Sequence, residues 1–366
     1  MFKLVLLVKN IDHCPLIMHK LGQLYPAELF AYADAHRAGL FAADLVLIDV
    51  SEADDSDTET VRQALSETRN VTSVALVRPN NRRDEVQANA LGTKLVWSRI
   101  RPVKTVLQDV DRLLGSYSMP VVTGDVPPAT RKSVQAVSRA LGDCVTSAIS
   151  DEPFPLAQIG RAVDLTLSSF RVEGLDAWTA AVQMHHSHTY CHSMLVTGYA
   201  LAFADVMGMT VDERARLGTA ALLHDVGKVF IPLTILDKPG KLTDEEFAAI
   251  KMHPVKSREL LSGQPGISDE VVDIAVHHHE YLDGSGYPDG LIGDEISHSV
   301  RMLTICDIYA ALTERRAYKP ALSPRQAYGI LVDMGRKIDQ NLLKMFRQVA
   351  FEADRVATVK RKAGGF

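Results

Sequence analysis

Residues 43–50 read "ADLVLIDV", a short apolar run that is followed by an aspartate, Asp49. Three similar runs lie in the first part of the chain: "KLVLLV" at 3–8, "VTSVALV" at 71–77 and "TKLVW" at 93–97. Nearly continuous apolar runs of this length are typical of parallel strands covered on both faces. The segments between them carry apolar residues at helical spacing. Residues 1–115 are therefore predicted to form a doubly wound α/β domain, with its site at the carboxyl ends of the strands.

This first domain resembles the receiver domain of response regulators. Asp49 stands where receivers carry the phosphorylated aspartate, but Lys9 and Asn10 stand where they carry an acidic pair that holds magnesium. Arg78 replaces the usual hydroxyl residue, and Arg101-Pro102 replaces the usual Lys-Pro pair. Because magnesium needs oxygen ligands and Lys9 repels it, phosphotransfer to Asp49 is not expected. We interpret the domain as a pseudo-receiver that regulates the rest of the chain through dimerisation or docking of a signalling partner.

The composition excludes several classes of function. The chain has 366 residues and a net charge of -5, and a protein that binds nucleic acid in bulk usually shows a basic surplus. The apolar run in "MFKLVLLVKN" is interrupted by Lys9, so it is predicted to be a strand rather than a signal peptide. No apolar stretch reaches the ~18 residues that a membrane helix needs. The four cysteines have no paired spacing, which favours a reducing cytoplasm. The net charge and the short apolar runs together predict no nucleic-acid partner and no membrane partner.

A connector separates this domain from a helical one. Residues 116–130, "SYSMPVVTGDVPPAT", are rich in Pro, Gly, Ser and Thr and indicate a linker. Two amphipathic segments follow, at roughly 130–150 and 155–172, and "DEPFP" separates them. They are predicted to be connector helices within 116–175 that could pair two subunits into a homodimer.

The segment after residue 175 gathers histidines and aspartates on apolar helices. His188 and His192 lie one turn apart on a predicted helix, and His224-Asp225 ends another. Further members of this set are His253, the run His277 to His279, and Asp307 inside "VRMLTICDIYAALT". A buried carboxylate such as Asp225 or Asp307 is costly unless it is paired or bound to a cation. Imidazoles with carboxylates suit iron, manganese or zinc, and so many ligands indicate more than one ion.

Residues 185–350 resemble the HD-GYP domain, the cyclic di-GMP phosphodiesterase branch of the HD metal-phosphohydrolase superfamily. The motifs are "HDVGK" at 224–228, "HHE" at 278–280 and "DGSGYPDG" at 283–290, with "DKPGKLTDEEF" and "RRAYKPALSP" in support. The resemblance implies an all-α HD-GYP domain at 176–366. The fold class expected for the whole chain is multi-domain, with the receiver-like α/β domain followed by this helical domain.

The resemblance implies the metal ligands residue by residue. Seven positions match the family's first ligand shell: His192, His224, Asp225, His253, His278, His279 and Asp307. Asp225 would bridge two ions. His188 stands where members with three metals carry a glutamate, so the centre could hold two or three ions of iron or manganese.

The resemblance also implies how the substrate would be bound and cleaved. Two metals would hold a bridging hydroxide that attacks a phosphodiester of cyclic di-GMP and yields pGpG, GMP or both. Lys228 would stabilise charge that develops on the phosphate. Arg316 and Lys319 match positions that contact ligand phosphate, and Tyr287 could stack on guanine.

The loop that begins after "HHE" carries the remaining expectations. The glycines at 284, 286 and 290 would allow positive φ and a close approach to a flat ligand, which makes Gly286 a substrate-binding candidate. Glu280 would orient a metal-binding imidazole from behind. His277 is expected at the surface or behind the ligands.

Two departures from the family pattern bear on the site. Ala310 replaces an aspartate close to Asp307, which affects the expected position of Lys228, and Ser257 replaces a glycine, which is expected to be tolerated. Two alternatives to the cyclic di-GMP phosphodiesterase stay open. One is hydrolysis of another substrate, such as cyclic GMP-AMP or a nucleotide phosphate, and the other is a signalling or binding scaffold with a weak site.

Overall fold

A computed structural model describes residues 3–25, 27–68, 71–114, 126–184, 188–236, 238, 240–315 and 321–363. The chain divides into two compact units. The first is built mainly from residues 1–117, and the second mainly from residues 118–148, 152–230 and 242–366.

The first unit contains a five-stranded parallel sheet of order β2-β1-β3-β4-β5. Its strands are β1 (Leu4–Val8), β2 (Ala27–Ala31), β3 (Leu45–Asp49), β4 (Thr72–Val77) and β5 (Leu95–Ser98). This order is that of the flavodoxin-like doubly wound fold, so the predicted α/β class is confirmed. The three central strands are almost wholly buried, which explains why their sequences are nearly continuous apolar runs.

The strand β2 has no counterpart among the four runs that the sequence indicates. Its sequence "AELFA" includes a glutamate and lies at the edge of the sheet, where the strand is only partly buried. An edge strand is paired on one side only, and its apolar pattern is correspondingly weak. Two short 3-10 helices, Tyr32–Arg37 and Leu40–Ala42, connect β2 to β3 in place of an α-helix.

Four α-helices cover the two faces of the sheet: α1 (Leu16–Leu24), α2 (Asp55–Ser66), α3 (Arg82–Ala90) and α4 (Val103–Leu113). Alternate residues of β1 point to opposite faces, so Leu4 and Leu6 pack with one apolar layer and Val5 and Leu7 with the other. The first layer contains residues of α1 and α4, and the second contains residues of α2 and α3. Because the strands between these two apolar layers are parallel, their carboxyl ends all lie along the same edge of the sheet.

The second unit is helical in all of its described residues outside loops, 3-10 turns and an isolated β-bridge. Its helices are α5 (Pro128–Ser150), α6 (Leu156–Val182), α7 (His188–Val206), α8 (Val211–Leu223), α10 (Asp244–Lys251), α11 (His253–Leu261), α12 (Asp269–Val276), α13 (His298–Thr313), α14 (Pro324–Asp333) and α15 (Gln340–Ala363). The expected all-α architecture is therefore confirmed. The short helix α9 (Leu233–Leu236) belongs to the first unit. The second connector helix continues past residue 172 to Val182, with a non-helical residue at Gly174.

Helix α7 lies at the centre of the second unit. Every residue from Cys191 to Ala204 is buried, so the helix is covered on all sides by its neighbours. Aromatic side chains of α7, α13 and α15 pack edge to face, for example Tyr199 against Tyr309 with ring centroids 5.0 Å apart. The packing of neighbouring side chains therefore fixes the position of a histidine on this helix.

The described helices include none with the length and apolar character required to cross a bilayer. All four cysteines are free thiols.

Candidate metal centre

The ends of several helices in the second unit bring the predicted ligands together. His192 comes from α7, His224 and Asp225 follow α8, and His253 is the first residue of α11. His278 and His279 follow α12, and Asp307 lies on α13. Their ligand atoms form three groups, each within 4.8 Å: His253, His278 and His279; His192, His224 and Asp307; His224, Asp225 and His278. All seven predicted ligand residues therefore converge at one place.

The Asp225 carboxylate lies between two sets of imidazoles. Its Oδ2 is 3.2 Å from His224 Nε2 and 3.7 Å from His192 Nε2. Its Oδ1 is 3.2 Å from His253 Nε2 and 4.0 Å from His278 Nε2. Each oxygen faces a different set, which is the arrangement required of a carboxylate shared by two cations.

Asp307 also reaches both sets. Its Oδ1 is 2.9 Å from His192 Nε2 and 3.8 Å from His224 Nε2. Its Oδ2 is 3.7 Å from His279 Nδ1. Two carboxylates thus lie among five imidazoles, and these seven residues come from five different helices or helix ends.

The tautomers of three ligands are determined by their hydrogen bonds. In His224, His253 and His278, Nδ1 is 2.7 Å from the carbonyl oxygen of the residue three positions earlier. A carbonyl oxygen can only accept, so Nδ1 carries the proton and donates it. The Nε2 lone pair of each ring is then available and directed toward Asp225, which is the usual way a protein orients a metal-binding imidazole.

Buried polar atoms without a hydrogen-bond partner mark the same place. Among the described residues these include His224 Nε2 and Asp225 Oδ1, both within the converging set. Buried polar atoms are normally satisfied, so unpaired ones require an explanation such as an ion. Neutral imidazole and carboxylate donors fit a divalent transition metal.

Burial and charge give these groups the protonation states that a metal requires. Burial lowers the pKa of His253 to about 3 and of His279 to about 4, and it lowers that of His278 well below its usual value. For Asp225, burial alone raises the pKa, but His224 and Lys228 outweigh it and hold the pKa well below the ordinary range. His253, His278 and His279 are therefore neutral nitrogen donors beside an ionised carboxylate. For His224, burial alone lowers the pKa, but Asp225 and Asp307 outweigh it and raise the pKa above its ordinary value.

Lys228 lies beside the shared carboxylate. Its ammonium is 2.6 Å from Asp225 Oδ2, the oxygen that also faces His224, and the side chain is 22% exposed. A methyl group at Ala310, where the family pattern has a carboxylate, is fully buried on α13. Lys228 is therefore positioned by Asp225 in this chain.

Close packing of α11 on the turn Val226–Phe230 positions His253 relative to Asp225. A Cβ atom on Gly227 would lie 2.1 Å from the carbonyl oxygen of His253 and 2.6 Å from the nitrogen of Ser257. Only glycine allows this approach. The Ser257 hydroxyl accepts from the Gly227 N–H at 3.0 Å and donates to the His224 carbonyl at 3.2 Å. The serine is thus accommodated by two hydrogen bonds.

Glu280 holds the loop that follows the ligands. Its buried carboxylate accepts backbone N–H groups of Asp289 at 2.7 Å, Gly290 at 2.9 Å and Leu291 at 3.2 Å. The sequence suggested that Glu280 orients an imidazole. Its hydrogen bonds in the structure go to the loop backbone instead, because the chain turns back over the carboxylate at residues 289–291.

The loop glycines have two different roles. Gly284 and Gly290 adopt positive φ, 78° and 69°, as expected. The expectation of positive φ at Gly286 is wrong, because this residue is not in the left-handed region. A Cβ on Gly286 would lie 2.4 Å from Glu280 Cα and from the Tyr281 nitrogen, so its small size allows the loop to pack on the backbone after the ligands.

Tyr287 packs directly on a ligand. Its ring centroid is 4.7 Å from that of His279 with a 30° tilt, and its N–H donates to the His279 carbonyl at 3.2 Å. His277 contacts two carboxylates, with Nδ1 2.7 Å from Asp273 Oδ1 and Nε2 2.9 Å from Asp289 Oδ2. His277 therefore connects α12 to the loop and is half-buried rather than a ligand.

Some candidate residues lie outside the described part of the chain. These are Arg316 and Lys319, and also the side chain of His188, whose backbone begins α7. Glu314 was missed by reasoning from the sequence. It is buried at the end of α13, with Oε2 3.8 Å from His192 Nδ1. Its spacing of two helical turns from Asp307 was the available signal.

The Asp49 site of the first unit has its own cation. Asp49 is buried at the end of β3, where Arg99 Nε is 3.3 Å from Oδ1 and the Ser51 hydroxyl donates to Oδ2 at 3.1 Å. Arg101, which stands at the position of the usual lysine, pairs instead with Asp109. Lys9 lies 2.9 Å from both Asp54 and Asp57. The residue that reaches Asp49 is thus Arg99, which the sequence pattern did not single out.

Comparison with known proteins places these residues in a larger group. Residues 177–342 match the HD domain family. The chain is 34% identical over 200 residues to cyclic di-GMP phosphodiesterase PA4108 of Pseudomonas aeruginosa, an alignment that covers 52% of this chain and 48% of that protein. It is 37% identical over 169 residues to cyclic di-GMP phosphodiesterase response regulator RpfG of Xanthomonas campestris pv. campestris, covering 46% and 45%.

A relative with a different name is similar to the same degree. The 3'3'-cGAMP-specific phosphodiesterase 1 of Vibrio cholerae is 38% identical over 143 residues, covering 39% of this chain and 33% of that protein. The chain thus spans about half or less of the length of these curated relatives.

Proposed function

We propose that this chain is a metal-dependent phosphodiesterase that hydrolyses a cyclic dinucleotide, with cyclic di-GMP as the first candidate substrate, since residues 177–342 match the HD domain family. The observation that carries the proposal is the Asp225 carboxylate, with one oxygen turned to His224 and the other to His253, each at 3.2 Å. An HD domain implies a divalent metal centre, and a shared carboxylate supports two ions.

The donor set supports iron or manganese. His192, His224 and Asp307 would hold one ion, and His253, His278 and His279 would hold the other, with Asp225 common to both. The bound ions supply Lewis acidity toward phosphoryl oxygens and make water a stronger nucleophile. A third ion would require His188 as a ligand.

The chain's own residues then bind and orient the phosphodiester. Lys228 is anchored by Asp225 with its ammonium at the partly exposed side of the centre, where it can offset charge that develops on the phosphate. Arg316 and Lys319 are proposed to contact phosphate as the sequence resemblance implies. Tyr287 and Gly286 belong to the loop that would border the ligand. Glu280 keeps this loop in place through three backbone hydrogen bonds.

The identity of the bases is the finer part of the proposal. The relatives named above include proteins named for cyclic di-GMP and for 3'3'-cGAMP. Cyclic di-GMP is favoured because the name occurs in the two relatives with the larger coverage, and cyclic GMP-AMP is the alternative. The expected products are pGpG, GMP or both. A scaffold with a weak site is the remaining alternative, and the complete ligand set speaks against it.

Regulation by the first unit is proposed to be independent of phosphorylation. Asp49 is buried and already faces Arg99, and the acidic positions needed for magnesium hold Lys9 and Asn10. The unit would then serve to dock a signalling partner or a second copy, with the connector helices as the dimer contact. The four free cysteines fit the reducing cytoplasm that we propose as its location.

The test uses protein purified without oxygen and loaded with ferrous iron or manganese. Chromatography would follow the conversion of cyclic di-GMP and of cyclic GMP-AMP to linear products, and elemental analysis would give the metal content. We expect Asp225→Ala to lose bound metal and turnover, and the control Asp333→Ala, an exposed aspartate on α14, to keep both. Metal-loaded wild-type protein that cleaves neither dinucleotide would contradict the proposal and favour the scaffold.

A further inference from the structure

Lys251 carries a positive charge that is held by aromatic rings rather than by a carboxylate. Its ammonium lies 5.1 Å from the centroid of Phe247 and 5.1 Å from that of Tyr287. Both distances are within the range of a cation–π contact. Among the described residues no carboxylate lies within 4.0 Å of this ammonium, whereas Lys228 and Lys256 both pair with acidic side chains. The charge of Lys251 is thus available to a ligand.

Lys251 lies close to the proposed metal centre, both along the chain and in space. Lys251 ends α10 and His253 begins α11 two residues later. The Tyr287 ring joins the two features, since it packs on His279 at 4.7 Å and on the Lys251 ammonium at 5.1 Å. The Lys251 ammonium is therefore at most about 10 Å from the centroid of the His279 ring, and it makes its cation–π contact with the tyrosine that packs on that ring.

The surroundings of Lys251 suit part of a nucleotide. Phe247 is one turn earlier on α10 and is 49% exposed, although a large apolar side chain is normally covered. An exposed aromatic ring next to a cation, as Phe247 is here, offers a stacking face for a base beside a counter-charge for a phosphate. Held between the two rings, the long lysine side chain is restricted to a small region beside the centre.

A cyclic dinucleotide has two phosphodiesters, and only one of them can occupy the metal centre at a time. The second phosphodiester keeps its negative charge and loses hydration water when the dinucleotide binds. It therefore needs a cation that lies away from the metal ions. We propose that Lys251 binds the phosphodiester that is not being cleaved, with Phe247 and Tyr287 fixing its position. This inference rests on the proposed function and adds a binding residue to it.

The experiment compares two substrates that differ in the number of phosphodiesters. Cyclic di-GMP has two, and bis(p-nitrophenyl) phosphate has one. For Lys251→Met in the metal-loaded full chain, we expect KM for cyclic di-GMP to rise about 10-fold or more and kcat to change little. The rise is expected because the variant loses one charged contact to phosphate. Hydrolysis of bis(p-nitrophenyl) phosphate should stay at the wild-type level, and Lys251→Arg should restore KM for the dinucleotide.

The matched control is Lys256→Met on the neighbouring helix α11, where the lysine pairs with Glu259 at 2.8 Å and should leave both substrates unaffected. An unchanged KM for cyclic di-GMP in Lys251→Met would overturn the inference alone. An equal fall in the hydrolysis of both substrates would also overturn it, because it would show a structural role at the metal centre. Wild-type protein that cleaves bis(p-nitrophenyl) phosphate but no cyclic dinucleotide would overturn the proposed substrate and this inference with it.

Discussion

His192 and Asp307 are 115 residues apart in the chain, and His192 Nε2 lies 2.9 Å from Asp307 Oδ1. The other nitrogen of the same ring, Nδ1, is 3.8 Å from the buried carboxylate of Glu314. The Nε2 edge of the imidazole is thus directed to the proposed ions, and the Nδ1 edge is directed to a carboxylate behind the ring. The distance to Glu314 is beyond hydrogen-bond range, so this carboxylate acts on the ring only through its negative charge.

Glu314→Gln should weaken metal binding without removing a ligand. The amide keeps the size of the side chain but loses the negative charge 3.8 Å from His192 Nδ1. Metal affinity should fall, toward the lower end of the about 10–100-fold that follows loss of a hydrogen-bonded partner. Competition with a chelator, followed by elemental analysis, measures this change. Glu259→Gln, an exposed glutamate on α11, is the control and should bind metal as the wild type does. Equal affinity in the two variants would show that Glu314 has no influence on His192.

Glu280→Gln should loosen the loop and leave the metals in place. The carboxylate accepts three backbone N–H groups, and an amide nitrogen would face at least one of them. A buried donor left unpaired costs about 1–3 kcal/mol. Hydrogen exchange of the peptide over residues 283–292 should therefore become faster, while metal content stays constant. Loss of metal with unchanged exchange would restore the role suggested by the sequence, orientation of an imidazole.

Gly227→Ala should disrupt the centre through the backbone. The new methyl group would meet the His253 carbonyl oxygen, 2.1 Å from the Cβ position, and would force α11 away from the turn after α8. Overpacking of this kind costs about 1–3 kcal/mol, so both the free energy of unfolding and the metal content should fall.

Gly329→Ala is the matched control for this change. Gly329 lies in α14 with no atom within 4 Å of its Cβ position, and alanine in a helix is favoured over glycine by about 0.5–1 kcal/mol. We expect this variant to be as stable as the wild type or more so. A Gly227→Ala protein with full metal content would contradict the close approach.

Asp84→Asn should remove a pH-dependent part of the stability of the first unit. Asp84 is fully buried and accepts from Arg78 Nε at 2.9 Å and Nη2 at 2.7 Å. Burial alone raises the pKa of Asp84, but the hydrogen bonds and charge of Arg78 outweigh it and hold the pKa below its ordinary value. The stability from this pair is therefore present above about pH 3.9, the unfolded value, and is lost as the pH falls through the folded pKa.

Urea unfolding measures this difference. Trp97 lies in β5 and the other tryptophan, Trp178, lies in the second unit, so Trp97 fluorescence in a Trp178→Phe background reports on the first unit. The Asp84→Asn protein should be less stable at pH 7, and the difference should shrink below pH 3.9. Glu85→Gln, at the exposed neighbouring position, should behave as the wild type at both values. A difference that is constant with pH would rule out the ion pair as its cause.

Reasoning from the sequence reached the fold class because its signals are local. The central strands of the first unit are buried on both faces, so their apolar runs are visible without any knowledge of their partners. The edge strand Ala27–Ala31 was not visible, because half-exposed strands carry a weak pattern. The helical second unit was accessible through periodicity, and the seven ligand residues were implied by the resemblance of short motifs to those of the HD-GYP family.

The contacts made by those residues depend on helices that are distant in the chain. Residue types alone indicated a metal-binding cluster, and the resemblance of short motifs to the HD-GYP family indicated which imidazoles and carboxylates belong to it. Only the tertiary structure decided that Asp225 divides its oxygens between His224 and His253, that Glu280 serves the loop, and that Arg99 rather than Arg101 reaches Asp49. The physical reason is that such contacts depend on angstrom-scale packing between separate elements, which no local pattern encodes.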